Sequence, residues 1–304
     1  MKKTIITLLC ALSAVFAWAQ PKEAYVLYND EGERVAYGDM LKQLAEQDVV
    51  FFGEIHTCPI AHWLEIELTQ DLYAIHKDNF MLGAEMFERD DQVILNEYLN
   101  GLVDQRNFSL ESKLWDNYDT DYKALVEFAK AHRLPFTATN VARRYANMVS
   151  KGGLEALAQV SEEGKQYMAP LPFTYKPNKY VQAFFANMMK AMPKMKGMPG
   201  KKPNGMASHK EDYLCKSQAL KDVTMAYSIA ESLGDRKMIH FNGSFHSTHH
   251  DGIIPYLNDF KPGLKIGTVE VVRQDDVTKL NAEDLGAADF IICVPASMTS
   301  TKHN

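Results

Sequence analysis

The sequence predicts an α/β fold: a mostly parallel central sheet flanked by helices, with a methionine-rich helical insertion forming a lid. Short apolar runs alternate with longer amphipathic stretches, the pattern of strands joined by crossover helices. Two of the apolar runs close on matching Gly-x-x-His tetrapeptides about 190 residues apart, Gly53-Glu54-Ile55-His56 and Gly243-Ser244-Phe245-His246. One stretch, about residues 160–212, breaks the alternation with prolines, glycines and methionines.

The 304-residue chain begins with a targeting segment. Lys2-Lys3 form a positive n-region, Thr4 to Phe16 an apolar h-region, and Ala17-Trp18-Ala19 a small-x-small cleavage site. Residues 1–19 are therefore expected to be a cleaved signal peptide and 20–304 a single α/β domain. The apolar run is too short to anchor the chain in a bilayer. Export is expected, to the periplasm or in association with an outer membrane. Removing the leader leaves Cys58, Cys215 and Cys293, an odd number without paired spacing, expected to behave as small buried hydrophobes. With 33 basic against 39 acidic side chains, net charge −6, no concentrated basic face points to nucleic acid.

The expected strands are Val49–Gly53, Met81–Glu85, Pro135–Thr139, Met238–Asn242, Gly267–Val272 and Phe290–Val294. Between them, Ile60–Ile75 carries Trp63, Ile66, Leu68, Leu72 and Ile75 at roughly helical spacing. Asp91–Leu99 and Asp121–Ala131 behave similarly, and Asp212–Leu233 forms a long helix closed by Gly234. In the insertion, Met189, Met192, Met195 and Met198 recur every third residue, among Lys190, Lys194, Lys196, Lys201 and Lys202.

Ligands of open α/β sheets bind beyond the carboxyl ends of the strands. Residues just past four of the expected strands are rich in chemistry: Glu54 and His56; Glu85, Glu88 and Arg89; Asn140, Arg143 and Arg144; His246, His249 and His250. Glu and His suit a divalent metal with an open position for water, and His56, His246 and Glu85 are the candidate ligands. A carboxylate beside a histidine also serves as a metal-free general base. Arg143 or Arg144 suits a carboxylate or propionate, which a guanidinium binds bidentately. His62, His76 and His132 are expected to be surface or helix-packing residues, whereas His249 and His250 fit either a site or a loop.

The chain resembles the ChaN-like haem-binding proteins of the wider Tiki, erythromycin-esterase and ChaN superfamily. The resemblance rests on Gly53-Glu54-Ile55-His56, Glu85-Met86-Phe87 with Gln92 and Leu95, and Trp115-x-x-Tyr118-x-x-x-Tyr122. It continues through Asn140 and Arg143, Gln218-x-x-x-Asp222-x-x-Met225-Ala226, and Gly243-x-x-His246 leading to Gly252-Ile253-Ile254-Pro255-Tyr256-Leu257. It implies an exported protein of haem and iron uptake that binds haem through a tyrosine in a helical region beside the sheet. The hydrolase branch of the superfamily implies instead that Glu54, His56, Glu85 and His246 form a catalytic set, metal-dependent in the Tiki proteases. Cys10 is the place for the family's usual lipid-anchor cysteine, but Leu9 precedes it where a small residue is wanted, so cleavage after Ala19 is the expectation.

Haem is thus expected between the sheet rim and the methionine-rich insertion. Tyr175, Tyr180, His209 and Tyr213 are candidate iron ligands, Met189, Met192 and Met195 an apolar contact surface, and Arg143 a propionate partner. Two other readings of the methionines stand beside this one: thioether ligands for Cu(I), and ordinary helix packing. Expected partners are haem, a second copy of the chain in a homodimer, and an outer-membrane haem uptake system. The alternative function is a metal-dependent hydrolase of protease or esterase type.

Overall fold

A computed structural model describes residues 22–191 and 206–301. The leader expected at 1–19 and most of the methionine run, Met192 and Met195 included, lie outside the described residues. Seven strands form one sheet in the order β1-β7-β6-β2-β5-β3-β4. They are β1 (Val26–Asn29), β2 (Val49–Glu54), β3 (Phe80–Glu88), β4 (Phe136–Asn140), β5 (Lys237–Gly243), β6 (Ile266–Gln274) and β7 (Phe290–Pro295). Every pairing is parallel except β1 with β7. The six strands expected from sequence are all present. β1 was not expected: four residues hold too few alternations to show a period of two, and this one lies at the sheet edge.

The helices are α1 (Tyr37–Leu44), α2 (Pro59–His76), α3 (Gln92–Leu99), α4 (Gln105–Glu111), α5 (Lys123–His132), α6 (Arg143–Gly152), α7 (Glu162–Lys165), α8 (Lys179–Ala191), α9 (Met206–Ser232) and α10 (Ile253–Phe260). Successive strand residues point to opposite faces, so β2 serves two cores. Val50 and Phe52 pack with Leu64, Leu68 and Leu72 of α2 and Val126 of α5. Val49 and Phe51 pack with Val149 of α6, Leu220 and Val223 of α9 and Leu257 of α10. Burial on both faces explains why this strand reads as an unbroken apolar run.

Two features place the residues of interest. β2, β5, β3 and β4 are adjacent and parallel, so their carboxyl ends share one rim. Asn178, buried, then fastens the insertion to that rim. Its Oδ1 accepts from the backbone N–H of Tyr180 and Val181 at 2.9 and 3.0 Å, capping α8, while its Nδ2 donates to the Phe245 carbonyl at 3.3 Å. Val181 and Phe185 of α8 then pack on Cys215 of α9 in a small core of their own. All three cysteines in the described residues are free and buried.

Candidate functional site

β2 ends in Glu54, which the sheet buries completely, and the chain turns so that His56 reaches back to it. His56 Nδ1 lies 2.6 Å from Glu54 Oε1, to which the Tyr122 hydroxyl also donates at 2.8 Å. β3 carries Glu85 and β5 leads into the turn that holds His246. His246 Nε2 lies 3.2 Å from Glu85 Oε1, and its Nδ1 lies 2.5 Å from Asp222 Oδ1 on α9. The Gly243 N–H donates to Glu85 Oε2 at 2.9 Å. The four rim residues singled out in the sequence, Glu54, His56, Glu85 and His246, therefore meet.

Gly243 is the hinge of this meeting, for reasons of space. Its backbone is ordinary and extended, φ −60°. A Cβ there would lie 2.8 and 2.9 Å from the His56 ring and 3.6 Å from Glu85 Oε2. The glycine is needed for close approach, not for a left-handed turn.

The two histidines differ electrostatically. Burial opposes charge on His246, but the Glu85 and Asp222 carboxylates outweigh it and hold the ring cationic, up to about 10. Burial likewise works against the Glu85 charge, yet His246 holds that carboxyl well below its usual range. At Glu54 burial wins, helped by the neighbouring Glu65 charge, and raises the carboxyl to about 8. His56 is raised: burial lowers it, but its hydrogen bond with Glu54 and the Glu85 charge prevail. His56 Nδ1 and Glu54 Oε1 thus share one short hydrogen bond, and the ring borders a cleft.

His56 and Glu85 open onto a cleft of about 400 Å³ lined also by Glu88, Trp115, Asn117, Asn140, Arg143 and Lys221. Trp115 meets His56 edge-on, with ring centroids 4.9 Å apart. Arg143, largely exposed, lies 4.0 Å from Glu88. These walls suit a small polar molecule. Their apolar part is Leu114, Trp115 and Val141.

A second surface lies where α8 meets the turn after β5. The Tyr180 ring stacks on His249, 4.2 Å between centroids and 5° from parallel. Phe184 and Phe245 meet at 5.0 Å and are 44% and 42% exposed. Lys179 Nζ lies over the Tyr180 ring at 4.8 Å. His249 and His250 both adopt positive φ, 54° and 56°, a conformation that costs a non-glycine residue about 1 kcal/mol or more. Burial and the Lys179 charge lower the His249 pKa, so its ring is neutral.

The remaining insertion residues do not gather at one point. Tyr175 lines a groove between α8 and α9 with Gln182, Ala186 and Cys215. Tyr213 sits beside Gly153, with Lys216 over its ring at 5.8 Å. Met189 is half-buried on α8. His209 belongs to α9, and its side chain lies outside the described set.

Several residues of the rim escaped the sequence reading. His62 was expected to be a packing or surface residue; it is buried and linked to Glu65 at 3.0 Å and Glu54 at 3.2 Å. Among the described residues, Glu54, His62 and Glu65 have ligand-capable atoms all within 4.8 Å of one another. His246, by contrast, has both ring nitrogens engaged by carboxylates. Asp222 carried a signal, an acid inside the buried apolar face formed by Ala219, Val223 and Ala226 of α9. His62 and Glu65 carried one too, lying three residues apart on one helical face.

A family model described as haem-binding uptake, Tiki superfamily, ChaN matches residues 40–257. Among solved structures, ChaN of Campylobacter jejuni, described for its cofacial haem binding, superimposes with a TM-score of 0.66. The two are 18% identical over 90% of this chain and 98% of that one. An erythromycin esterase mutant in its open conformation gives a TM-score of 0.50 at 10% identity, over 91% of this chain and 98% of that one. Identities this low speak to the fold alone. A search of curated proteins returned no match.

Proposed function

This chain belongs to the haem-binding uptake family of the Tiki superfamily, ChaN, and from that premise we propose that it carries haem on the aromatic surface between the sheet rim and the insertion. The observation that carries this reading is the half-buried pair Tyr180 and His249 beside the exposed Phe184 and Phe245, fastened to the rim through Asn178. Haem needs flat apolar contact, an oxygen or nitrogen donor for iron, and cations near its propionates. Tyr180 and the neutral His249 supply the donors, the two phenylalanines the contact, and Lys179 the charge. Tyr175 and Tyr213, set in a groove and beside Gly153, are poorer candidates. Bound haem supplies an iron centre and a strong visible absorption.

The reading includes export through the cleaved leader, a domain running from residue 20 to 304, and the methionine run closing over the ligand. It also includes pairing of two copies, since a flat ligand exposed on one protomer can be shared across a two-fold axis. The Campylobacter jejuni relative is described as binding haem cofacially, and a shared site of that kind suits the exposed phenylalanines. Purified protein titrated with haem is expected to develop a saturable Soret band. Absence of such a band removes the proposal.

A hydrolytic reading has its own observation: His56 presents Nε2 to a polar cleft while Glu54 holds Nδ1 at 2.6 Å. That is the geometry of an oriented general base. The His246 cation beside Glu85 and Asp222 would then fix the opposite wall. His56→Ala separates the two readings. A hydrolase loses its activity with this change, whereas the haem carrier keeps its Soret titration because His56 lies in the cleft and not on the aromatic surface.

A further inference from the structure

Behind the cleft, between the end of β2 and α2, lies a cluster of which the hydrolytic reading uses Glu54 alone and the haem reading nothing. Glu54, His62 and Glu65 are buried, the two glutamates to 1% and 0% exposure. His62 Nδ1 lies 3.0 Å from Glu65 Oε2 and 3.2 Å from Glu54 Oε2. Glu54 Oε2 and Glu65 Oε1 accept no hydrogen bond, and neither does Oδ1 of the adjacent buried Asp121. We infer that Glu54, His62 and Glu65 form a binding site for one divalent transition-metal ion, separate from the haem surface.

The tautomer of His62 supports this. Its Nε2 lies 3.2 Å from the His56 carbonyl, which can only accept, so Nε2 bears the proton. In the neutral ring Nδ1 then turns a lone pair toward two carboxyl groups, an arrangement suited to a cation between them. The spacing agrees. Metal–nitrogen and metal–oxygen bonds of about 2.0–2.2 Å place neighbouring ligand atoms roughly 3.0–3.5 Å apart, and the pairs measured here are 3.0 and 3.2 Å.

Charge leads to the same place. Among the described residues no lysine or arginine is paired with Glu54, Glu65 or Asp121; their ion-pair partners are His56 and His62. Buried carboxylates without a counter-charge are costly. A divalent ion held between Glu54 and Glu65 supplies that counter-charge. An outer set of bonds orients the ligands: Tyr122 to Glu54 Oε1, His62 Nε2 to the His56 carbonyl, and Asn117 and Thr301 to Asp121 Oδ2 at 2.6 and 2.7 Å. Two carboxylates and an imidazole select a borderline ion such as zinc, manganese or iron(II), not soft Cu(I) or an all-oxygen Ca²⁺ site. Because Glu54 also holds His56, occupancy would reach the cleft through one shared carboxylate.

The test uses purified protein stripped with chelator, then titrated separately with Zn²⁺, Mn²⁺ and Co²⁺, reading bound metal, Co²⁺ absorption and the thermal midpoint. One ion per chain is expected, with a midpoint that rises on loading and falls on stripping. Glu65→Gln and His62→Gln should each weaken binding by roughly tenfold or more, without altering the haem titration. If either fails to fold, the milder Glu65→Asp and His62→Asn take its place. The assignment is overturned if wild-type protein takes up none of the three ions, or its midpoint is indifferent to them. It is equally overturned if folded variants of His62 and Glu65 keep the ion while His56→Gln or His246→Gln loses it.

Discussion

His246 sits with one carboxylate on each ring nitrogen, and its removal has a definite cost. Truncation to alanine leaves Asp222 buried without its cation and Glu85 with only the half-exposed Lys221 at 3.8 Å, and a broken buried pair of this kind costs about 3–5 kcal/mol. Urea unfolding of His246→Ala should show a loss of that order. The same contact makes stability depend on pH. The folded pKa of His246, about 10, lies above its ordinary 6.5. Its contribution is therefore fully present below about pH 6.5 and is lost as pH rises through 10, so unfolding midpoints at pH 7 should exceed those at pH 10.5. The lowered pKa of Glu85 belongs to the same ion pair, and adds a loss on acidification below its ordinary 4.5. Gly243→Ala tests the close approach at the rim: a Cβ 2.8 Å from the His56 ring must push that ring off Glu54. In a histidine NMR titration the raised His56 pKa should then fall toward its usual value. An unchanged titration would show that the rim tolerates a side chain there. The titratable residues of the rim could be recognised in the sequence because each lies at or just past the end of an apolar run. Their partners could not, since Asp222, His62 and Glu65 sit inside helices whose dominant pattern is apolar, where only a fold shows which strand end they face.

Among the elements, α8 bears most on the proposed haem surface. Its N-terminus is capped by Asn178, whose amide also binds the Phe245 carbonyl. Asn178→Ala should cost about 1 kcal/mol for the lost cap and weaken haem binding more than it weakens the fold. Limited proteolysis after residue 178, alongside the haem titration, reads both effects. Equal haem affinity with a loosened α8 would detach that helix from the ligand. The strands were recognisable from their apolar runs to within a few residues, because both faces of β2, β3 and β5 are covered. The exceptions have physical causes. β1 is too short to show a period. Tyr118–Tyr122 forms a π-helical turn ahead of α5, where the sequence reading began the helix at Asp121, since three aromatic or acidic side chains turn inward there toward Glu54 and the core. In the insertion, spacing alone could not tell which of Tyr175, Tyr180 and Tyr213 reaches the surface, for that is decided by how α8 lies on α9.

For the whole molecule, the arrangement separates two chemistries along one sheet rim. The cleft at His56 and Glu85 is polar and charged, while the surface at Tyr180 and Phe245 is aromatic and open. Sedimentation of the protein with and without haem should show a shift from monomer to dimer on loading, with Phe245→Ala reducing it; a loaded monomer would discard the shared ligand while leaving haem binding itself intact. The most direct test of the central claim is the haem titration carried out on wild-type protein, Tyr180→Phe, His249→Ala and Tyr213→Phe in parallel. The account predicts a saturable Soret band in wild type, a shifted band or at least roughly tenfold weaker binding, about 1.4 kcal/mol, in Tyr180→Phe or His249→Ala, and no change in Tyr213→Phe. Wild-type spectra and affinity in both Tyr180→Phe and His249→Ala would contradict it.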